Sequence, residues 1–299
     1  MNFYEFFIDP FLSFEFMRRS LVACLALSLG CGPVGTLLVL RRMSLIGDAL
    51  SHAVLPGAAI GFMVAGLSLV SMSIGGFIAG IFVALLSGFV TRLTKQREDA
   101  SFAAFYLISL AIGVLIISIH GSNVDIMHVL FGTILAIDNE SLFLVVSITS
   151  LTLLTFAIVG RGLVVESFDP GFLKAVGGSG TSLHLIFLIL VVLNLVAGFH
   201  ALGTLMAVGL MMLPAVAARF WASTIIKLAF YSIIFAFISG YFGLLISYHF
   251  NLPSGPTIIL VAGFIYIVSV FFGSKDSLMT KYLSRPHSKG LSSIVISFP

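Results

Sequence analysis

Long apolar runs, separated by short polar stretches, make up most of this chain. Most of the runs are about 20 residues long, the length that a helix needs to cross the ~30 Å hydrocarbon core of a bilayer. We place nine such runs, at 19–40, 44–67, 72–91, 101–119, 141–160, 183–199, 201–218, 228–248 and 256–273. The pattern therefore predicts an all-α, polytopic transmembrane helical bundle of about eight to nine spans.

A shorter apolar run, 126–137, is too brief to cross the bilayer and predicts a re-entrant or interfacial helix. At the N-terminus, residues 3–16 are rich in aromatic side chains with interspersed acids, a pattern typical of an amphipathic helix lying at the membrane interface. We accordingly divide the chain into an interfacial segment, 1–18, within a single transmembrane domain, 1–275, and a cytoplasmic tail, 276–299.

Composition supports the membrane prediction. Only 9% of the 299 residues are charged and 59% are hydrophobic. A soluble domain carries roughly 25% charged residues because it has a whole surface to hydrate. Lipid must therefore be the main solvent of this chain. The net charge of +3 does not indicate nucleic-acid binding, because the basic residues sort by membrane side.

All of the 15 Lys and Arg residues except Arg18 and Arg19 fall on one side of the predicted bundle. The positive-inside rule makes that side cytoplasmic and places the N-terminus outside. The outer side instead collects acids and histidines, which would suit the approach of a cation. They are Glu5, Asp9, Glu15, His120, Asp125, His128, Asp138, Glu140 and His249. The alternative is that outer loops simply lack basic residues under the same rule.

The long cytoplasmic connection 161–182 contains signals for a short helix. Asp169-Pro170 is a helix start with Pro at the first helical position, and Gly177-Gly178 is a stop. Such an isolated helix would expose apolar side chains to water. Its exposed Phe168, Phe172 and Leu173 would need a partner, either lipid headgroups or another protein.

The strongest candidate for chemistry is "RRMSLIGDALSHAVLPG", residues 41–57. Asp48 and His52 are four residues apart, so a helix places both side chains on one face. An ionisable residue within a span usually faces the bundle interior or a water-filled path. Carboxylate and imidazole together suit zinc, manganese or iron in the +2 state. The alternative is a buried Asp–His hydrogen bond that ties helices together. Pro56-Gly57 predicts a break in the helix and a cavity beside it.

A lone histidine, His200, lies at the outer end of another predicted span. It is a candidate for receiving a metal from outside, although a histidine at a span end is more often interfacial. The sequence contains no GxxxxGK[ST] loop, so the chain has no Walker site for ATP. It also has no HExxH or GxSxG motif, which argues against a protease or a lipid hydrolase. We therefore predict a protein that is not an enzyme.

Several segments together resemble the ABC importer permeases for zinc, manganese and iron(II). The stretch "MSLIGDALSHAVLPG" resembles that family's second-helix signature, and five further segments resemble its motifs in the same order. They are "REDASFAAFYLISLAIGVLIIS" (97–118), "VDIMHVLFGTILAI" (124–137), "ESFDPGFLKAVG" (166–177), "ALGTLMAVGLMMLPAVAAR" (201–219) and "LPSGPTIILVAG" (252–263). The resemblance covers about residues 16–275.

This resemblance implies a transport permease of the bacterial inner membrane. The permease would move zinc or manganese, possibly iron(II), into the cytoplasm. The metal would be a substrate that passes through, and no cofactor would be permanently bound. It implies a permease homodimer, a separate ABC ATPase subunit and an extracytoplasmic metal-binding protein. Asp48 and His52 match positions that would meet the ion. Asp125, His128 and His200 are candidates for an outer gate, although His200 stands where many relatives carry Gln or Arg.

The segment 166–177 resembles the family's cytoplasmic coupling helix, which would give the exposed apolar side chains a partner. The residues expected to contact the ATPase are Phe168, Asp169, Pro170, Phe172, Leu173 and Lys174. Two alternative functions remain open at this point. One is a secondary metal transporter driven by proton exchange, and the other is a permease for a metal chelate such as cobalamin or a siderophore.

Overall fold

The computed structural model describes residues 3–66, 68–94, 97–119 and 137–283, and every regular element in these ranges is an α-helix. The helices are α1 (Phe3–Phe7), α2 (Asp9–Ser13), α3 (Glu15–Leu40), α4 (Ser44–Ala65), α5 (Leu69–Leu93), α6 (Glu98–Ile119), α7 (Asn139–Phe168), α8 (Pro170–Ala175), α9 (Gly180–Leu202), α10 (Thr204–Ala218), α11 (Ile225–Phe250), α12 (Ser254–Phe272) and α13 (Leu278–Leu283).

Each of the nine predicted spans falls on a separate helix, namely α3 to α7 and α9 to α12. Seven of these helices are long and apolar enough to cross a membrane. The other two contain shorter apolar stretches, Asp99–Leu115 in α6 and Met206–Ala218 in α10. The predicted all-α bundle is therefore confirmed. The predicted re-entrant piece, 126–137, lies outside the described residues except for Ile137, and it stays a prediction.

Helix α3 lies at the centre of the bundle, where it packs against α7, α9, α10 and α11. Small residues let its backbone come close to its neighbours. A Cβ placed on Gly35 would lie 2.0 Å from the carbonyl oxygen of Met211 in α10, so only glycine fits this crossing. Deeper in the bundle, buried Asn194 of α9 donates to Thr152 of α7 at 2.9 Å. Backbone contact and a few polar ties thus hold the centre together.

The two ends of the bundle are distinguished by their contacts. At one end, which we call the basic end, Arg41 at the close of α3 forms an ion pair with Glu166 near the close of α7. At the opposite end, His249 of α11 stacks on Phe6 with ring centroids 4.1 Å apart. The N-terminal segment therefore packs at the end opposite to Arg41, because α3 crosses the bundle once between the two. Which end faces the cytoplasm stays a prediction from the basic residues.

The N-terminal segment differs from the single interfacial helix predicted for residues 1–18. It forms two short helices, α1 and α2, and α3 already begins at Glu15. Pro10 lies in the first turn of α2 and has no N–H with which to continue α1. Phe14 is extended, with φ −114° and ψ 123°, and separates α2 from α3. Local backbone chemistry thus overrides the amphipathic pattern.

Arg18 and Arg19, the two basic residues at the opposite end, both have local partners. Arg19 forms an ion pair with Glu15 one turn earlier in α3. Arg18 donates to the carbonyl oxygen of Leu12 at 3.3 Å. These contacts offset the cost of holding two arginines at the end where the described residues place no other Lys or Arg.

Helix α7 continues eight residues beyond the predicted span end at residue 160, to Phe168. The extension carries Arg161 and Glu166, and the latter is neutralised by Arg41. The predicted start of the next helix is correct, because α8 begins at Pro170 and the carboxylate of Asp169 accepts the N–H of Phe172 at 2.8 Å. Helix α8 ends at Ala175, just before Gly177 with φ +79°.

The crossing at Gly35 makes a direct test of the packing. Replacing Gly35 with Ala forces α3 and α10 apart, because the new Cβ meets a backbone carbonyl that cannot move away alone. We expect a loss of about 1–3 kcal/mol of stability, measured as a lower thermal unfolding midpoint of the purified protein. Gly263→Ala is the matched control, since no atom lies within 4 Å of that Cβ position. An unchanged midpoint for Gly35→Ala would contradict the close crossing.

A candidate ion-binding pair on helix α4

Asp48 and His52 lie on consecutive turns of α4, as the sequence predicts. The Nε2 atom of His52 is 3.9 Å from the Oδ1 atom of Asp48. This separation is too long for a hydrogen bond but leaves both atoms free to approach one ion between them. The pair therefore offers an oxygen and a nitrogen donor on the same side of one helix.

The pair belongs to an exposed strip along α4. The side chain of Asp48 is 60% exposed and that of His52 is 33% exposed. The strip repeats every three or four residues, which is one face of a helix. Its members are Leu45, Asp48, His52, Leu55, Ala59 and Met63. Other faces of α4 pack against α5, α6, α9 and α10, whereas this strip is left at least partly open within one chain.

Glycines on the neighbouring helices hold the buried faces of α4. A Cβ on Gly57 would lie 2.0 Å from the carbonyl oxygen of Gly75 in α5. On the other side, Pro56 packs against Gly113 of α6, where a Cβ would lie 2.8 Å from the proline ring. These contacts fix the rotation of α4 and therefore keep the face that carries Asp48 and His52 turned outward.

The predicted break of α4 at Pro56-Gly57 is wrong, because the helix runs without interruption from Ser44 to Ala65. The ring of Pro56 is accommodated against a glycine, so the helix need not bend away from it. Proline still has a local effect, because residue 56 has no N–H to donate to the carbonyl oxygen of His52. The carbonyl oxygen of His52, within the pair itself, thus loses its usual helical donor.

Tyr106 of α6 lies beside the imidazole, with ring centroids 6.0 Å apart and planes inclined by 27°. Tyr106 was not predicted from the sequence, where its only signal was a phenolic side chain in an otherwise apolar run. The Nδ1 atom of His52 is buried and makes no hydrogen bond within the described residues. The ring is therefore held by packing, with Nε2 on the side of Asp48.

The alternative role of the pair, a hydrogen bond that ties two helices, does not fit this geometry. Both side chains belong to α4, and they are too far apart to share a hydrogen bond. Within the part of the chain that the structure describes, no hydrogen bond joins Asp48 or His52 to another helix through its side chain. An exposed carboxylate contributes nothing to the packing of the bundle.

The described residues contain no group of three or more His, Cys, Asp or Glu side chains able to hold a metal ion. One chain therefore supplies two side-chain donors at this position, within the described ranges. Two donors on an open helix face bind an ion weakly and leave most of its coordination sphere to other ligands. Such an arrangement suits a place that an ion passes rather than one where it is stored.

The predicted outer-gate residues are not tested by these contacts. Asp125 and His128 lie outside the described residues, as does His120. His200 lies near the close of α9, but its side chain is outside the described part of the structure. A gate built from Asp125, His128 and His200 stays a prediction.

The predicted coupling residues at the basic end form a partly exposed surface. Phe168 is 62% exposed and Phe172 is 57% exposed, as the sequence predicts. Leu173 differs from the prediction, because it is half-buried and packs against Gly178. Asp169 is exposed and caps α8. Pro170 and Lys174 lie in α8, with side chains outside the described part.

Comparison with known proteins identifies relatives over nearly the whole chain. The profile of the ABC 3 transport family matches residues 13–273. The manganese transport system membrane protein MntC of Halalkalibacterium halodurans is 30% identical over 288 residues, which cover 96% of this chain and 97% of that protein. MntC of Listeria innocua is 31% identical over 273 residues, which cover 91% of this chain and 96% of that protein.

A solved structure has the same arrangement of helices. The structure of PsaBC from Streptococcus pneumoniae in complex with Fab matches with a TM-score of 0.82 at 30% sequence identity. The match covers 92% of this chain and 98% of that one. The helical bundle described above is therefore shared with a protein of similar sequence along almost its full length.

Proposed function

The chain belongs to the ABC 3 transport family, and from this premise we propose that it is the permease of an ATP-binding cassette importer that carries manganese(II) into the cytoplasm. Membership of this family of permeases makes it a membrane subunit without enzymatic activity of its own. Together with its apolar helices, membership also makes it a multi-pass protein of the bacterial inner membrane. The metal, the direction and the partners are parts of the proposal.

The observation that carries the proposal is the exposed Asp48–His52 pair on an otherwise apolar helix. A charged side chain costs about 2.5–3.5 kcal/mol at the centre of a span by insertion scales, and Asp48, in the second turn of α4, bears part of this cost. Keeping a charged side chain such as Asp48 within the span therefore requires a water-filled path or a passing cation. The side chains of Asp48 and His52, 60% and 33% exposed, are open to both.

The chemistry of the pair fits manganese(II) well. Carboxylate oxygen is a donor that manganese prefers, and an imidazole nitrogen completes a borderline set that manganese, iron(II) and zinc all accept. Two relatives that match more than nine-tenths of this chain are named manganese transport proteins, which favours manganese among the three. Zinc and iron(II) are the competing substrates that an uptake experiment must compare.

A second copy of the chain is the proposed occupant of the open strip on α4. Lipid is a poor neighbour for Asp48, whereas the same strip on a partner copy would bring a second Asp48 and His52 across a twofold axis. Four side-chain donors would then surround one transient ion. Leu45, Leu55 and Met63 would supply the apolar contacts above and below it.

Two further partners follow from the ends of the bundle. The exposed Phe168 and Phe172 at the basic end are the proposed docking surface of a separate ATPase, which the absence of a Walker loop in this chain requires. The acids and histidine at the opposite end, among them Asp9, Asp138, Glu140 and His249, are proposed to face an extracytoplasmic protein that delivers the metal.

The alternative functions are less well supported. A proton-coupled metal transporter builds its site from several donors within one chain, whereas the described residues contain no group of three or more His, Cys, Asp or Glu side chains able to hold a metal ion. A metal-chelate permease has no need of bare metal-binding donors on an open helix face. The relatives named above also favour the free metal ion over a chelate.

Asp48→Asn tests the proposed substrate path, since it keeps the size of the side chain and removes the charge that offsets the dehydration of the ion. We expect ATP-driven manganese uptake per folded molecule to fall by at least about tenfold, the effect of losing one charged interaction. Uptake is measured in proteoliposomes that hold the complete complex, with zinc and iron(II) compared in parallel.

Asp276→Asn is the matched control, because Asp276 is exposed beyond α12 in a left-handed conformation that Asn also tolerates. It should transport at the wild-type rate. Wild-type uptake per folded molecule by Asp48→Asn would overturn the role of the carboxylate. Absence of uptake of all three metals by the wild-type complex would overturn the proposed function itself.

Phe168→Ser combined with Phe172→Ser tests the docking surface. Both rings are exposed in the free permease, so their loss should leave its folding intact while weakening the apolar contact with the ATPase. We expect the ATPase to co-purify poorly with this variant and uptake to fall in step. Phe250→Ser, an equally exposed position at the opposite end, should keep the ATPase bound. Full co-purification with the double variant would exclude this surface.

A further inference from the structure

A buried arginine at the basic end contacts the helix that leads into the α8 segment. The side chain of Arg41 is only 6% exposed, and it forms an ion pair with Glu166 of α7, which is 12% exposed. Its Nε atom donates to the hydroxyl of Ser167 at 2.8 Å, and its Nη2 atom donates to the carbonyl oxygen of Leu163 at 3.3 Å. The guanidinium therefore binds three residues in the last two turns of α7.

The same guanidinium also contacts the helix that leaves the α8 segment. Its Nη1 atom lies 3.2 Å from Nδ1 of His184, in the second turn of α9. Its central carbon lies 4.1 Å from the ring centre of Phe187, one turn further along. Arg41 thus contacts both α7 and α9, the two helices that residues 169–179 connect. Helix α8, within that connection, also packs on both of them.

The turn that joins Arg41 to α4 is fixed by backbone hydrogen bonds to the end of α3. The N–H of Arg42 donates to the carbonyl oxygen of Val39 at 3.2 Å, and the N–H of Met43 donates to the carbonyl oxygen of Leu38 at 2.9 Å. This is a Schellman-type helix end, with Arg42 in the left-handed position at φ +58°. Met43 is buried, and α4 begins at the next residue. The turn from Arg41 to α4 therefore has little freedom to bend.

Asp48 follows closely in the same helix. It lies five residues after Met43, or about 7.5 Å along the axis at 1.5 Å per residue. The side chain of Arg41 accordingly contacts the two helices that flank the docking segment, and its backbone leads through the Arg42–Met43 turn into the ion-binding helix. Leu163, Glu166, Ser167 and His184 are its polar contacts on the docking side.

Stability alone is a poor reason to keep this cluster. Removing two charges from water costs roughly as much as their attraction returns, and apolar side chains of similar volume often serve a core equally well. A planar guanidinium, in contrast, holds several partners at fixed angles, which a flexible apolar side chain cannot do. The cluster is suited to keeping three helix ends in register.

We propose that Arg41 is a positioning residue that transmits movement of the docking segment, residues 169–179, to the Asp48–His52 pair on α4. Movement of α8 shifts the close of α7 and the start of α9, the guanidinium follows both, and the rigid turn at Arg42–Met43 carries the shift into α4. This inference rests on the proposed function, because the ATPase would supply the movement.

Arg41→Lys tests this link. Lysine keeps the positive charge and pairs with Glu166, but it cannot hold Ser167, Leu163 and His184 at the same time. In proteoliposomes with the complete complex, we expect the ATPase to stay bound and to hydrolyse ATP within about twofold of the wild-type rate. We expect the number of metal ions transported per ATP hydrolysed to fall roughly tenfold.

Arg42→Lys is the matched control, since the side chain of Arg42, next to Arg41, is exposed and lysine keeps its positive charge. It should keep the wild-type ratio of ions to ATP. A purely structural role of Arg41 predicts a different result, in which the amount of folded complex falls while the ratio stays normal for the molecules that survive. A normal ratio for Arg41→Lys would overturn the proposal.

A second measurement keeps the test independent of transport. In the purified permease, hydrogen exchange should rise in Arg41→Lys both at residues 169–179 and at residues 44–48, because the Arg41 side chain anchors the helices beside the first segment and the turn after Arg41 leads directly into the second. A rise in only one of these segments would overturn the link even if the wild-type complex transports no metal. Failure of the proposed function and failure of this inference are therefore distinguishable.

Discussion

The rest of the structure depends on the cost of placing a charge against lipid. Asp48 lies on an otherwise apolar helix and is 60% exposed, so the bundle must present it to water, to a cation or to protein. Close packing of α4 on α5 and α6, through Gly57 on Gly75 and Pro56 on Gly113, turns the charged face outward. We propose that this face, which is a poor neighbour for lipid, meets the ion and a second copy of the chain.

The arrangement of spans could be predicted from the sequence, because an apolar run of about 20 residues has few interpretations other than a transmembrane helix. Each predicted span corresponds to one helix, and the pair at positions 48 and 52 lies on one face because any α-helix would place it so. The helix start at Asp169-Pro170 was also predictable, since an Asp side chain that caps an N-terminus is a local signal.

Features that depend on distant residues were not predictable. The continuity of α4 through Pro56 depends on a glycine in α6, and the inward packing of Leu173 depends on Gly178 across a turn. The length of α7 beyond residue 160 depends on Arg41, which stands more than a hundred residues earlier and neutralises Glu166. No periodic pattern in the local sequence contains these partners, so the break at Pro56 and the exposure of Leu173 were predicted wrongly.

The central claim is that His52 and Asp48 contact the transported ion directly. Pulsed electron paramagnetic resonance of manganese(II), added at saturating concentration to the complex, reports whether an imidazole nitrogen is bound to the metal. We expect a nitrogen coupling in the wild-type complex that disappears in His52→Gln and persists when His249, stacked on Phe6 at the opposite end, is replaced instead. A nitrogen coupling that survives His52→Gln, or a wild-type spectrum that shows water ligands alone, would contradict it.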